Sequence, residues 1–208
     1  QIFIKYSNMA STIMLPSALM GIGFPILESK VLPATPLSFI LGPSEALGGR
    51  PKAFGLCLGI MSAAGFWVTM YGFSVGGARK KCKEMAAKNG EKDVEDRYSY
   101  PNLYVDGNTK PARAFNCKQR SHQHILETMP QFFLTNILVA TVYPVTASAA
   151  ALLWLLGRKV WCDGYSNDAG EPGKRYDHPL SKGIWVSYMG SFLATGLCML
   201  KIFGISLF

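Results

Sequence analysis

The run KAFGLCLGIMSAAGFWVTMYGFSV, Lys52 to Val75, carries no acid and, after Lys52, no base. A helix rises about 1.5 Å per residue and a bilayer core is about 30 Å thick, so a run of this length spans one. The rest of the chain therefore has to be read with a membrane as its solvent. Its composition agrees, with 49% hydrophobic and 16% charged residues against roughly 25% charged in soluble domains. The charges are also unevenly placed, crowding between Arg79 and Arg120. At 208 residues, one folding domain is expected.

Three more apolar runs follow. The second extends from about Asn116 to Tyr143, kinked at Pro130. The third covers about Ala147 to Tyr165 after the short turn Tyr143–Thr146, and the fourth covers about Gly183 to Phe203. The expected fold is an all-α integral membrane bundle of four transmembrane helices over residues 51–208. Small residues Gly55, Gly59, Ser62, Ala63 and Gly65 let another helix approach the first span closely. Residues 1–50 are broken by prolines and read as an irregular extension lying on a membrane surface or a partner.

Two polar loops separate the spans. The first runs from Gly76 to about Asn116 and starts with the basic stretch ARKKCK; the second is SNDAGEPGKRYDHPLSK. Four spans put both loops on one side. Their Lys and Arg content assigns that side to the cytosol, stroma or matrix. The net charge of +8 calls for anionic partners, either lipid headgroups or small molecules. No basic stretch is interleaved with aromatics as a nucleic-acid groove requires, so no nucleic acid is expected. The five cysteines, Cys57, Cys82, Cys117, Cys162 and Cys198, show no CxxC spacing. They predict neither a disulfide framework nor a metal site. His122 and His124 are two apart and point to different faces of a helix, which also argues against a metal.

Polar residues gather where two spans meet the polar loops. On a helix Arg120, His124 and Glu127 share one face, as do Arg158, Trp161 and Tyr165. Both groups sit at the loop end of their helices and can converge on one pocket. Spacing alone leaves two readings, a ligand site or basic side chains snorkelling to headgroups. Glu127 is the feature that snorkelling does not explain. No charged residue lies mid-span, where a transport pathway would need one.

Three motifs, in this order and spacing, resemble the MAPEG family, the membrane-associated proteins in eicosanoid and glutathione metabolism. They are ARKKCK closing span one, FNCKQRSHQHILE opening span two, and the GRKVWCDGY…GEPGKR segment closing span three. The resemblance covers roughly residues 50–205 and is greatest to the type-3 microsomal glutathione S-transferases. It implies a trimer with glutathione, as co-substrate, held near the polar side between subunits. By motif, Arg79, Arg120, His124, Glu127, Arg158, Trp161 and Tyr165 fall on glutathione-binding positions. Arg120 would pair with a carboxylate of the tripeptide and Glu127 with its amino group. Arg175, or else Lys174, falls where an arginine faces the thiol, which makes Arg175 the expected catalytic residue.

The chain departs from that pattern at His124, where members commonly carry asparagine, at Trp161 in place of tyrosine, and at Thr128 in place of an aromatic. The implied activity is transfer of glutathione to lipophilic electrophiles, or reduction of lipid hydroperoxides. The alternative is a non-catalytic accessory subunit of a larger membrane complex, contacted through residues 1–50. An endoplasmic-reticulum or organellar membrane fits either. His122 is expected to have a structural role.

Overall fold

The computed structural model describes residues 12–205, which contain no β-strand. Five long helices carry the chain: α1 (Thr12–Lys30), α2 (Lys52–Lys88), α3 (Lys110–Val142), α4 (Pro144–Tyr165) and α5 (Gly183–Ile202). Among the described residues four segments are long and apolar enough to cross a membrane: α1, α2, α3, and Pro179–Ile202, which contains α5. The all-α, multi-pass membrane fold expected from sequence is therefore present.

The four segments are not the four expected. Arg158, Lys159 and Asp163 dilute the hydropathy of α4, which is not among them, while α1 is. Residues 31–51 form short 3-10 turns, as their prolines and glycines suggest. Residues 12–30, which share the broken proline pattern, are instead helical. The ladder widens into a π-helical turn at Leu19–Gly23, directly before Pro25. Pro25, which has no N–H to give, thus falls near the start of the next α-helical stretch, where the loss matters least.

The first polar loop is also shorter than its charges imply. Lysine, glutamate, alanine and methionine are strong helix formers, so ARKKCKEMAAK continues α2 to Lys88 well past the apolar run. At the far end Thr109 accepts the Ala112 N–H through its hydroxyl, with Pro111 in the first turn, and α3 starts at Lys110. Only residues 89–109 are left between the two helices. Pro130 lies inside α3 without ending it.

The chain gathers into two compact units. The first holds residues 12–63, 130–157 and 182–205. Cys57, Met61, Val139, Ala140, Tyr143, Ala147, Ala151, Ala194 and Cys198 form its core, and Phe132 stacks on Trp154 with ring centres 5.1 Å apart. Polar groups here are spent on holding helices together, as a membrane interior requires. Asn136, fully buried, donates to the Ala147 carbonyl at 3.1 Å and accepts from Ser191 Oγ at 3.3 Å. Ser148 Oγ bonds the Ala53 carbonyl at 3.1 Å.

In the same unit α1 lies directly against α5. A Cβ on Gly21 would stand 2.4 Å from the Gly190 carbonyl oxygen, so only glycine permits the crossing. Glu28, at the other end of α1, accepts the N–H groups of Val145 and Thr146 at 2.9 and 2.8 Å and the Thr146 hydroxyl at 2.7 Å. It caps the start of α4 from another helix.

The second unit holds residues 64–129 and 158–181. Tyr71 joins its helices through Ser121 Oγ at 2.5 Å and Ser166 Oγ at 3.0 Å. The segment 89–109 folds against this unit as a strap. Arg79 donates to the carbonyls of Tyr98, Ser99 and Asn102 at 3.3, 3.4 and 2.7 Å, its guanidinium held 4.5 Å from both the Tyr100 and Phe115 rings. Asn116 grips Val105 by both its N–H and its carbonyl, each at 2.8 Å. Tyr98 is buried beneath the strap, and that burial pushes its phenol up to about 12.

Candidate functional site

Every expected site residue lies in the second unit. The helical spacing of α3 sets Arg120, His124 and Glu127 along one face, and Arg120 Nη1 donates to Glu127 Oε1 at 2.5 Å. Both side chains are half-exposed, 40% and 52%. The end of α4 supplies Arg158, Trp161 and Tyr165, and the turn Pro172–Tyr176 supplies Arg175 and Tyr176.

These groups form one continuous stack. The His124 ring lies 4.8 Å from Trp161, Trp161 lies 4.9 Å from Tyr165, and the Arg175 guanidinium sits 5.3 Å over Tyr165 and 5.0 Å from Tyr176. Arg158, 1% exposed, lies behind it. Its Nη1 meets His124 Nδ1 at 2.9 Å and its Nη2 donates to Thr128 Oγ1 at 2.9 Å. Thr128 in turn donates to the His124 carbonyl at 2.8 Å.

A guanidinium can only donate. His124 Nδ1 must therefore accept, and the ring hydrogen sits on Nε2. Histidine at 124 and threonine at 128 thus each supply an acceptor to the buried Arg158.

A cavity of about 220 Å³ opens on this stack, lined by Arg120, His124, Trp161, Tyr165, Arg175 and Tyr176. The structure thus brings together five of the expected residues. Arg158 supports the wall from behind, and Glu127 adjoins it through Arg120. Arg79 lines neither this cavity nor the larger one next to it, and its guanidinium is taken up by the strap. His122 lines neither cavity and packs against Gly72, where a Cβ would come within 2.9 Å of its ring. Arg175 and not Lys174 faces the cavity. Lys174 is paired with Glu171 at 2.8 Å, and that ion pair holds the Glu171 carboxyl below its usual range.

Two contributors have no signal in the charge or helical pattern. Tyr176 is known only once the turn folds back. Gly164 stood inside the motif without a role. A Cβ there would lie 2.6 Å from the Lys174 carbonyl oxygen and 3.0 Å from Arg175 Cα, so glycine lets the turn rest directly on α4. Gly164→Ala is expected to lift Arg175 from Tyr165. Overpacking at such a close approach costs typically about 1–3 kcal/mol, so the Tm of the purified variant should fall, and an unchanged Tm would mean that the turn does not rest on α4.

Among the described residues no group of three or more His, Cys, Asp or Glu is placed to hold a metal ion. No solved structure matches the chain. The model of the MAPEG family matches residues 57–202, a segment that takes in the whole stack and both arms of the Arg120–Glu127 pair. With that match over most of its length, the chain belongs to the MAPEG family of integral membrane proteins.

Proposed function

We propose that the chain is a glutathione-dependent membrane enzyme that transfers glutathione to lipophilic electrophiles or reduces lipid hydroperoxides. The observation that carries this reading is the Arg120–Glu127 pair bordering a cavity with Arg175 on its wall. Glutathione is a zwitterion with carboxylates, an ammonium and a thiol. A neighbouring arginine and glutamate can exchange their mutual contact for a carboxylate and an ammonium, each by charge-assisted hydrogen bonds. The neutral His124 ring and the Tyr165 face then line the peptide between them.

Arg175 supplies the chemistry. A thiol with a pKa of about 8.5 is mostly protonated near neutrality, and a guanidinium beside it raises the thiolate fraction. The thiolate attacks an electrophile drawn from the lipid, with no covalent intermediate on the protein. Positioning and fixed charge do the work.

A half-exposed ion pair on a membrane helix is costly unless something covers it. Leu126 and Leu134 on the same helix are also exposed. A second copy of the chain, as in a homotrimer, would cover that face and complete the site. The test is an activity screen on detergent-purified protein, with 1-chloro-2,4-dinitrobenzene for conjugation and cumene hydroperoxide for reduction. Glutathione-dependent turnover in either assay is expected, and its absence in both would refute the enzyme reading.

The accessory-subunit reading rests on one observation. The helix α1 precedes the segment matched to the family and exposes Met14, Leu15, Leu19 and Leu27. Under it, purification in mild detergent would yield a stoichiometric assembly with other membrane chains.

A further inference from the structure

A second cavity, of about 310 Å³, shares Arg120 and Tyr165 with the first. Its wall carries two arginines, Arg113 and Arg120, with the phenols of Tyr104 and Tyr165 and the amide of Asn108, and no carboxylate. Its apolar lining is small, the Pro172 ring and the Cys117 side chain beside the two tyrosine faces. The nearest acid in the adjoining turn, Glu171, is tied to Lys174.

The walls are fixed. Asn116 holds the strap at Val105, Tyr104 is hydrogen-bonded to Gln123, and Arg79 holds the strap at three carbonyls. Gly170, at φ +66°, sits so near Arg113 that a Cβ would stand 2.7 Å from the arginine Cβ. This is a built, cationic, hydrogen-bonding chamber suited to a water-soluble organic anion.

We propose that this chamber binds a second glutathione, whose thiol meets the first across the shared Arg120–Tyr165 wall, and that hydroperoxide reduction uses both. The inference rests on the glutathione reading of the first cavity. The excess charge has a use: Arg120 and Arg175 serve one tripeptide and leave Arg113 for a carboxylate of the other.

The reaction balances with two thiols. The first thiolate attacks the terminal oxygen of the hydroperoxide. A sulfur–oxygen bond forms, the oxygen–oxygen bond breaks, and the alkoxide takes a proton from water to become an alcohol. The second thiolate then attacks that sulfur. A disulfide forms, the sulfur–oxygen bond breaks, and hydroxide leaves as water once protonated. The two thiols supply the two electrons, and the products are glutathione disulfide, alcohol and water. Conjugation to an electrophile uses only one.

Calorimetric titration of the full-length, detergent-purified chain with glutathione should give two molecules per chain, and one for Arg113→Gln. In the same preparations the ratio of peroxidase to conjugation rate at fixed glutathione should fall about tenfold in Arg113→Gln, the scale of one charged contact. Intact conjugation with one-to-one binding in wild type would overturn this inference alone. So would an equal loss of both activities in Arg113→Gln, since one molecule would then span both cavities. No glutathione binding at all in wild type would remove the first reading and this one with it.

Discussion

Arg175→Ala is expected to lower kcat by about 10²–10³-fold, the usual cost of removing one preorganised donor from a developing charge. The guanidinium lies 5.3 Å over Tyr165 on the cavity wall, and its Nη1 is held by the Pro172 carbonyl at 2.7 Å, so it is positioned before any ligand arrives. Without it a bound thiol should ionise near its ordinary pKa of about 8.5. The rise of rate with pH should therefore move toward more alkaline values, checked by ultraviolet titration of the bound thiolate. Arg175→Lys keeps the charge but not the planar fork and should recover part of the rate. Unchanged thiol ionisation in Arg175→Ala would remove the arginine from the chemistry.

The second large effect concerns the fold. The first N–H groups of a helix have no partner within it, and α4 begins with a proline, so Val145 and Thr146 present the first donors. Glu28, 5% exposed, takes both, along with the Thr146 hydroxyl. The carboxylate also sits at the positive end of the helix dipole. Glu28→Ala removes a charged partner and strands buried donors, costing roughly 1.5–3 kcal/mol, or a fall of about 5–10 °C in Tm. Glu28→Gln keeps one oxygen acceptor and should lose less. Hydrogen exchange along α1 should accelerate in both. An unchanged Tm with unchanged exchange would mean that α1 does not depend on this cap.

The charge-free run at Ala53–Val75 was enough to read a membrane fold, because nothing else accommodates that length of apolar helix. The ends of helices were less legible. The basic tail of α2 looks like loop by charge but is helical by propensity, and only the packing of residues 79–88 against the strap decides it. The helix α1 was hidden because its prolines resemble those of the 3-10 turns that follow. What distinguishes it is the docking of Gly21 on Gly190 and of Glu28 on α4, contacts between residues far apart in sequence.

At the site, the face of Arg120, His124 and Glu127 could be read from a 3.6-residue period, and so could that of Arg158, Trp161 and Tyr165. Their convergence was also readable, since both faces end at the same polar loops, but the burial of Arg158 and its two bonds to His124 and Thr128 were not. Arg79 shows the reverse case. Its motif position was readable, yet its Nη1 and Nη2 are taken by carbonyls of a strap whose path no local pattern encodes.

The central claim is most directly tested by calorimetric binding of glutathione to detergent-purified protein, wild type beside Arg120→Ala and Glu127→Ala. Each substitution removes one charge-assisted partner of the zwitterion, so binding in the micromolar-to-millimolar range should weaken about ten- to a hundredfold in each. Wild-type protein that takes up no glutathione, or variants that bind as well as wild type, would contradict the account.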